Sequence, residues 1–277
     1  MMALSTRRMS EALTGGGPVP RDPSPPLTTS VVIPVKDDAA LLTRCLRALR
    51  AQDWPADEII VVDNGSSDSS ASVALAWGAR VLRCVEPGIP AAASTGYDAA
   101  RSDLILRLDA DCEPDPHWIA TVVSAFDDDE RLGAVTGDAR FTDGPATLRS
   151  PLARLYLGAY RSLLGITLGH PPLFGSNLAF RRTAWQAVRS EVHREDPNIH
   201  DDLDLAFHLG EGHRIARLSR PSMGMSMRPL TAGHFGRRLH RGVRSVIVHW
   251  PRDFPPVRWG RLMLRRRLSG STGRRTR

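Results

Sequence analysis

The sequence predicts an α/β fold with a mainly parallel central sheet flanked by helices, and three observations carry that expectation. Short β-branched runs, "SVVIPV" (30–35), "EIIVVD" (58–63), "ARVLRC" (79–84), "DLILRLD" (103–109) and "LGAVT" (132–136), alternate with segments of helical spacing. Such alternation makes βαβ units with right-handed crossovers. Asp63, Asp109 and Asp111 follow directly on two of these runs, where open α/β sheets bind ligands.

Each element has its own justification. After the first strand, Leu42, Cys45, Leu46 and Leu49 recur at helical spacing. Ser69 to Trp77 and Ala91 to Ala100 supply the second and third helices, and Pro116 to Phe126 a fourth with Pro at its first position. Beyond residue 145 the alternation loosens. Residues 152–169 form an amphipathic helix with Arg154 and Arg161 embedded, too charged to cross a bilayer. "GSNLAFRR" (175–182) follows a His-Pro-Pro turn, and "DDLDLAFHL" (201–209) opens another helix. The Pro/Gly-rich stretch "TGGGPVPRDPSPP" marks residues 1–29 as a disordered leader. The expected division is leader 1–29, folded domain 30–228 and basic helical C-terminal extension 229–277.

Composition bounds the function. With 277 residues, 42% hydrophobic and 24% charged, the chain has the make-up of a soluble globular protein. Its net charge of +7 is unevenly placed: residues 228–277 hold 14 Arg against the single acid Asp253, leaving the rest acidic. Arg there is interleaved with Val246, Ile247, Val248, Trp250, Trp259, Leu262 and Leu264. This pattern suits an anionic membrane surface and a lipid-linked acceptor; a solvated helical face is the alternative. No base-reading motif points to nucleic acid. Cys45, Cys84 and Cys112 lack zinc-site spacing and are expected as free core thiols. With no signal-peptide stretch and no run of about 18 apolar residues, the expected location is cytoplasmic, with peripheral contact at the inner membrane face.

The chemistry concentrates in "LRLDADCEPDPHW" (106–118). Two carboxylates one residue apart at a strand end are costly to desolvate. A hard divalent ion, Mg²⁺ or Mn²⁺, relieves that cost by sharing oxygen ligands with a phosphate-bearing substrate. The simpler alternative is Asp as a helix cap. Asp63, before the Gly/Ser turn of "VVDNGSSDSS", can accept a hydrogen bond from a nucleobase or ribose, or close an Asx-turn. No G-x-G-x-x-G follows any strand, which argues against dinucleotide binding.

In order, "SVVIPVKDD", "IIVVDNGSSD", "LRLDADCEPDPHW", "GSNLAFRR" and "HDDLDLAFHL" resemble the family 2 glycosyltransferases of the nucleotide-diphospho-sugar transferase superfamily, over about residues 30–228. The resemblance implies a GT-A type fold and inverting transfer of a sugar from a nucleotide-diphospho-sugar to an acceptor hydroxyl. It places Pro34, Val35 and Asp37 at the donor, Asp63 on the nucleobase, Asp109 on the ribose and Asp111 on the metal and diphosphate. Gly175, Ser176 and Asn177 become the floor of the sugar and acceptor site. Asp202 becomes the catalytic base, with Asp201 and Asp204 beside it. A carboxylate within hydrogen-bond reach of a sugar hydroxyl takes its proton as the new C–O bond forms. The alternative for "HDDLDL" is a helix start whose acids complement the dipole.

The chain also departs from the family pattern. "AASTG" (92–96) puts Ala93 and Ser94 where Arg and Asn are usual, and no metal-binding histidine stands in "PSMGMSMR". Arg228 is the candidate to neutralise diphosphate there, with His234 a distant candidate ligand. A sugar nucleotidyltransferase is the competing enzyme, disfavoured because "PVKDDAALL" has no glycine after the first strand. A phosphatase with Asp109 as nucleophile is disfavoured by Cys112. A catalytically inert protein that binds sugar-nucleotide or membrane is the non-enzymatic alternative.

Overall fold

A computed structural model describes residues 25–230 and 232–272, and it runs β1 (Thr29–Val35), α1 (Ala39–Arg50), β2 (Glu58–Asp63), α2 (Ser70–Ala76), β3 (Arg80–Arg83), α3 (Ile89–Ala99), β4 (Leu104–Arg107), β5 (Glu113–Pro114), α4 (Trp118–Asp127), β6 (Leu132–Phe141), α5 (Ala146–Leu168), β7 (Leu178–Arg181), α6 (Arg182–Val188), α7 (Asp201–Gly212), β8 (Arg214–Met225), α8 (Ala232–Ile247) and α9 (Pro255–Thr272). The strands form one sheet in the order β3-β2-β1-β4-β7-β6-β8-β5. Parallel pairs join β3, β2, β1 and β4, and also β6 and β8; β7 runs antiparallel to both of its neighbours. The expected mainly parallel α/β sheet is present.

The sequence patterns account for the layers. All seven residues of β1 are buried, as expected of a central strand covered on both faces. One face packs against α1 through Leu42, Cys45, Leu46 and Leu49, the predicted helical stripe, and against α4 through Trp118, Val122 and Phe126. The other meets α3, α6 and α7 through Ala92, Tyr97, Trp185, Leu203 and Phe207. Gly96 lets α3 lie close to the sheet: a Cβ there would stand 2.3 Å from Val32 Cγ1. All three cysteines are free and buried, as expected.

Two regions differ from the sequence reading or extend it. Residues 1–24 of the expected leader lie outside the described residues, while Thr28 donates hydrogen bonds to Asp103 and Thr29 already begins β1. The helix expected at 152–169 starts six residues earlier, at Ala146. In the C-terminal segment, Arg258 is fully buried. It donates to Leu168 O, Phe207 O and Asp253 Oδ1, fastening α9 to α5 and α7. Among the described residues no helix is long and apolar enough to cross a membrane.

Candidate active site

The site forms where β2, β1 and β4 end side by side. The β1/β2 register pairs Val35 with Asp63 and Pro34 with Val62, so these residues end the two strands side by side. Asp63 Oδ1 accepts the Ser66 N–H three residues on, at 3.0 Å, which closes the turn after β2. Asp37 turns the chain out of β1 in the left-handed region at φ 53°, a conformation a short polar side chain tolerates. Its carboxylate accepts from Ser67 N–H and Oγ at 2.7 and 2.9 Å. These bonds hold it below the usual carboxylate range.

Asp109 and Asp111 follow β4 as expected, and the surrounding charges show how their crowding is managed. The buried Arg107 guanidinium lies 2.9 Å from Asp109 Oδ1 and 3.5 Å from Asp201 Oδ2. Ser176 Oγ donates to Asp109 Oδ2 at 2.7 Å. Burial works against the charge of Asp109, but Arg107 and the Ser176 hydroxyl outweigh it and hold the carboxyl below its usual range. Asp111 goes the other way: burial and then the Asp109 charge push its carboxyl up, opposed by Arg228. Arg228 grips Asp38 through both Nη atoms at 2.8 and 3.0 Å and reaches Asp111 Oδ2 at 2.9 Å.

The donor chemistry fits a hard divalent ion. Asp109 and Asp111 bring carboxylate oxygens within 4.8 Å of each other and of the Cys112 thiol. Burial pushes that thiol far above its ordinary range. The two carboxylates supply oxygen ligands of the kind Mg²⁺ and Mn²⁺ prefer. The side chain of the distant candidate His234 lies outside the described residues.

The second half of the site is built by α7 and the loop before β7. Gly175 N–H donates to Asp202 Oδ2 at 2.7 Å and Leu203 N–H to Oδ1 at 2.8 Å, which fixes the carboxylate at the start of α7. A Cβ on Gly175 would stand 1.6 Å from Arg107 Nη1, so this close approach requires glycine. The Tyr160 hydroxyl donates to Leu173 O at 2.7 Å and lies 3.5 Å from Asp202 Oδ2. Asp202 also floors a groove of about 520 Å³ between α5 and α8, lined by Leu155, Tyr156, Leu163, Leu239 and Val243 among others. Arg238 of α8 donates to the Tyr156 hydroxyl at 3.1 Å. Burial works against its charge, while Tyr156, Asp109 and Asp202 sustain it.

Not every expected residue reaches this centre. Asn177 is buried, its amide spent on Trp118 Nε1 at 2.9 Å and Asp138 O at 2.9 Å, so it braces the floor from below. Asp204 points into a separate cluster, where His193 N–H and Nδ1 meet it at 2.8 and 2.7 Å. Burial pushes the Asp204 carboxyl up, and the His208, His249 and His193 imidazoles more than reverse this, holding it far below its usual range. Asp201 stays at the site beside Arg107. Sequence reasoning missed Arg107, Asp38, Tyr160 and Arg238. A lone arginine inside the buried run "LILRL" was a usable signal for Arg107; the others had none.

Comparison with known proteins settles the lineage. Residues 30–189 match the sequence profile described as glycosyl transferase family 2. The chain belongs to glycosyl transferase family 2. Over 121 residues, 41% of this chain, it is 31% identical to glycosyltransferase AglE of Haloferax volcanii. Over 207 residues, 69% of this chain, it is 30% identical to the pre-mycofactocin glycosyltransferase of Mycobacterium tuberculosis. It spans only 40% and 41% of the length of these relatives. The fold is that of solved glycosyltransferase structures. Mannosyltransferase PcManGT from Pyrobaculum calidifontis, in complex with GDP-Man and Mn²⁺, aligns with TM-score 0.62 and 22% identity over 87% of this chain and 70% of its own. Glucosyl-3-phosphoglycerate synthase from Mycobacterium tuberculosis, in complex with Mn²⁺ and UDP, aligns with TM-score 0.57 and 23% identity over 80% and 78%.

Two details are this family 2 chain's own. Ala93 and Ser94 are buried in α3 against the sheet, so neither offers the long polar contact that Arg or Asn would give. Asp201 has a carboxyl pushed up to about 6, first by burial and then by Asp202 and Asp109, with Arg107 opposing. A folded-state pKa above the unfolded 3.8 gives stability that is complete below about pH 4 and is lost as pH rises through about 6. Asp201→Asn is therefore expected to gain stability over the parent with rising pH, by about 3 kcal/mol at pH 8. Denaturant titrations of both proteins at pH 4, 6 and 8 check this; a constant difference across that window contradicts it.

Proposed function

We propose that this chain transfers a sugar, with inversion, from a nucleotide-diphospho-sugar to a hydroxyl of an amphipathic, lipid-linked acceptor. One observation carries the reading: Asp202 stands where the acidic crevice of Asp109 and Asp111 meets the apolar groove between α5 and α8. The nucleoside lies along Pro34, Val35 and Asp63, with its ribose toward Asp109. Asp111 holds Mg²⁺ or Mn²⁺, which when bound supplies positive charge for the departing diphosphate. Arg228 and Arg238 add fixed cations on that side, where negative charge develops. Gly175 and Ser176 form the floor beneath the sugar. Asp202 takes the acceptor proton while the hydroxyl attacks the anomeric carbon from the face opposite the leaving group.

The groove suits the apolar part of the acceptor. Its rim exposes Leu155, Leu163, Leu239 and Val243, each more than half accessible. Exposed Arg237 on α8 offers charge to anionic headgroups, so the enzyme would sit peripherally on a membrane.

The test is transfer from a panel of nucleotide-sugars with Mn²⁺ to acceptors of equal headgroup with and without a lipid tail. Preference for the tailed acceptor and an inverted anomeric configuration in the product are expected. Retention of configuration, or no donor turned over, overturns the reading. Ala159→Trp, which fills the groove from an exposed position of α5, is expected to raise KM for the tailed acceptor by about tenfold or more, as the loss of one well-fitted apolar subsite does. Donor hydrolysis without acceptor should persist in that variant.

A further inference from the structure

Outside the donor site, His193, Asp204, His208 and His249 bring one ligand atom each to within 4.8 Å of one another. From Asp204 Oδ1 the distances are 2.7 Å to His193 Nδ1, 3.1 Å to His249 Nε2 and 3.6 Å to His208 Nε2. A tetrahedral zinc ion with bonds of about 2.0–2.1 Å has ligand-to-ligand edges of about 3.3–3.4 Å, which these separations bracket. We propose that His193, Asp204, His208 and His249 form a structural zinc site.

Four further observations point to an ion. His249 is buried, 6% exposed, and its Nε2 makes no hydrogen bond although it is aimed into the cluster. Its Nδ1 lies 2.7 Å from Ser245 O; a carbonyl only accepts, so Nδ1 donates there and Nε2 is the ring atom left to face Asp204. His208 repeats the arrangement: Nε2 is buried without a hydrogen-bond partner, and Nδ1 faces Glu191 Oε2 at 3.5 Å. Carbonyl or carboxylate behind the ligating imidazole is the outer-shell pattern of metal-bound histidine.

Three imidazoles and one carboxylate select a borderline ion such as Zn²⁺ over the hard ions suited to Asp109 and Asp111. All four positions are filled by protein, as in structural sites. The ligands come from the loop after α6, from α7 and from the turn after α8. Zinc would therefore clamp the C-terminal helices to the helix that begins with Asp201 and Asp202. His193 is partly exposed and borders a surface cavity of about 780 Å³ with Asp98, Arg194 and Pro197, which gives the ion an entry path.

The test uses the full chain stripped with chelator and refilled with ZnCl₂ or CoCl₂ in excess Mg²⁺. Expected are one zinc per chain, a rise in Tm on refilling, and the visible absorption of tetrahedral Co²⁺. Asp111→Asn should keep the zinc, whereas His249→Asn and His208→Gln should lose it. Glu191→Gln should weaken binding by about 10- to 100-fold, as loss of an outer-shell partner does. The Co²⁺ spectrum is read on the parent protein and does not depend on any variant folding. No bound zinc with an unchanged Tm, or zinc lost in Asp111→Asn and kept in His249→Asn, overturns the site and leaves the cluster a hydrogen-bonded staple.

Discussion

Asp202→Asn is expected to lower sugar transfer by about 10²- to 10⁴-fold, the usual worth of a positioned general base, while donor affinity changes little. Both oxygens of Asp202 already accept a backbone N–H, Gly175 to Oδ2 and Leu203 to Oδ1. An asparagine keeps one of these bonds through its carbonyl and sets its NH₂ against the other donor. The loss of one hydrogen bond costs about 1–2 kcal/mol, too little to unfold the chain, so the defect should lie in the chemistry. Single-turnover transfer beside equilibrium donor binding separates the two effects. A variant with near-normal transfer would show that another group takes the proton and would refute the assignment of Asp202. The neutral substitution at Asp201 removes no base from the acceptor side and should cost far less in rate.

Arg107→Met is expected to cost about 3–5 kcal/mol, the penalty for leaving buried charge without its partner. That is on the order of 10 °C in Tm for a chain of this length. The guanidinium is 3% exposed and sits between Asp109 and Asp201. Burial works against its charge, and those two acids sustain it. Without it, Asp109 and Asp201 face each other with only the Ser176 hydroxyl and more distant arginines to offset them. The double variant Arg107→Met, Asp201→Asn removes one of the two stranded charges and should recover much of the loss. A Tm unchanged in the single variant, or two losses that simply add in the double variant, would mean the three groups are not coupled as their distances indicate.

The first four strands were legible because β1, β2 and β4 are buried runs of β-branched and aliphatic residues, and α1 shows its buried stripe at helical spacing. The carboxylates were legible for a related reason: in an open α/β sheet, a strand's end fixes where the next side chains go. β7 and β8 were not. "LAFR" is four residues long and becomes a strand by fitting antiparallel between β4 and β6, a tertiary choice with no local pattern. β8 contains Pro221 and pairs with β6 through register shifts near Asp138, so its sequence reads as loop. Within the site, Asp38 and Arg228 meet across 190 residues of chain, and nothing near either names the other. The family resemblance put Asp204 beside Asp201 and Asp202, yet successive helical residues point about 100° apart, which swings it to the histidines.

The deep seating of Arg258 divides the C-terminal arginines into two populations. Arg258 is sealed inside, while Arg261 and Arg265 bond to Glu211 and Arg244 to Asp196. These side chains act as rivets, and their positive charge is already answered by the protein itself. The basic pI near 10 therefore overstates the charge this end presents to a partner. Deleting the segment would confuse loss of adhesion with collapse of the scaffold, so any surface role must be probed by swapping solvent-facing side chains one at a time.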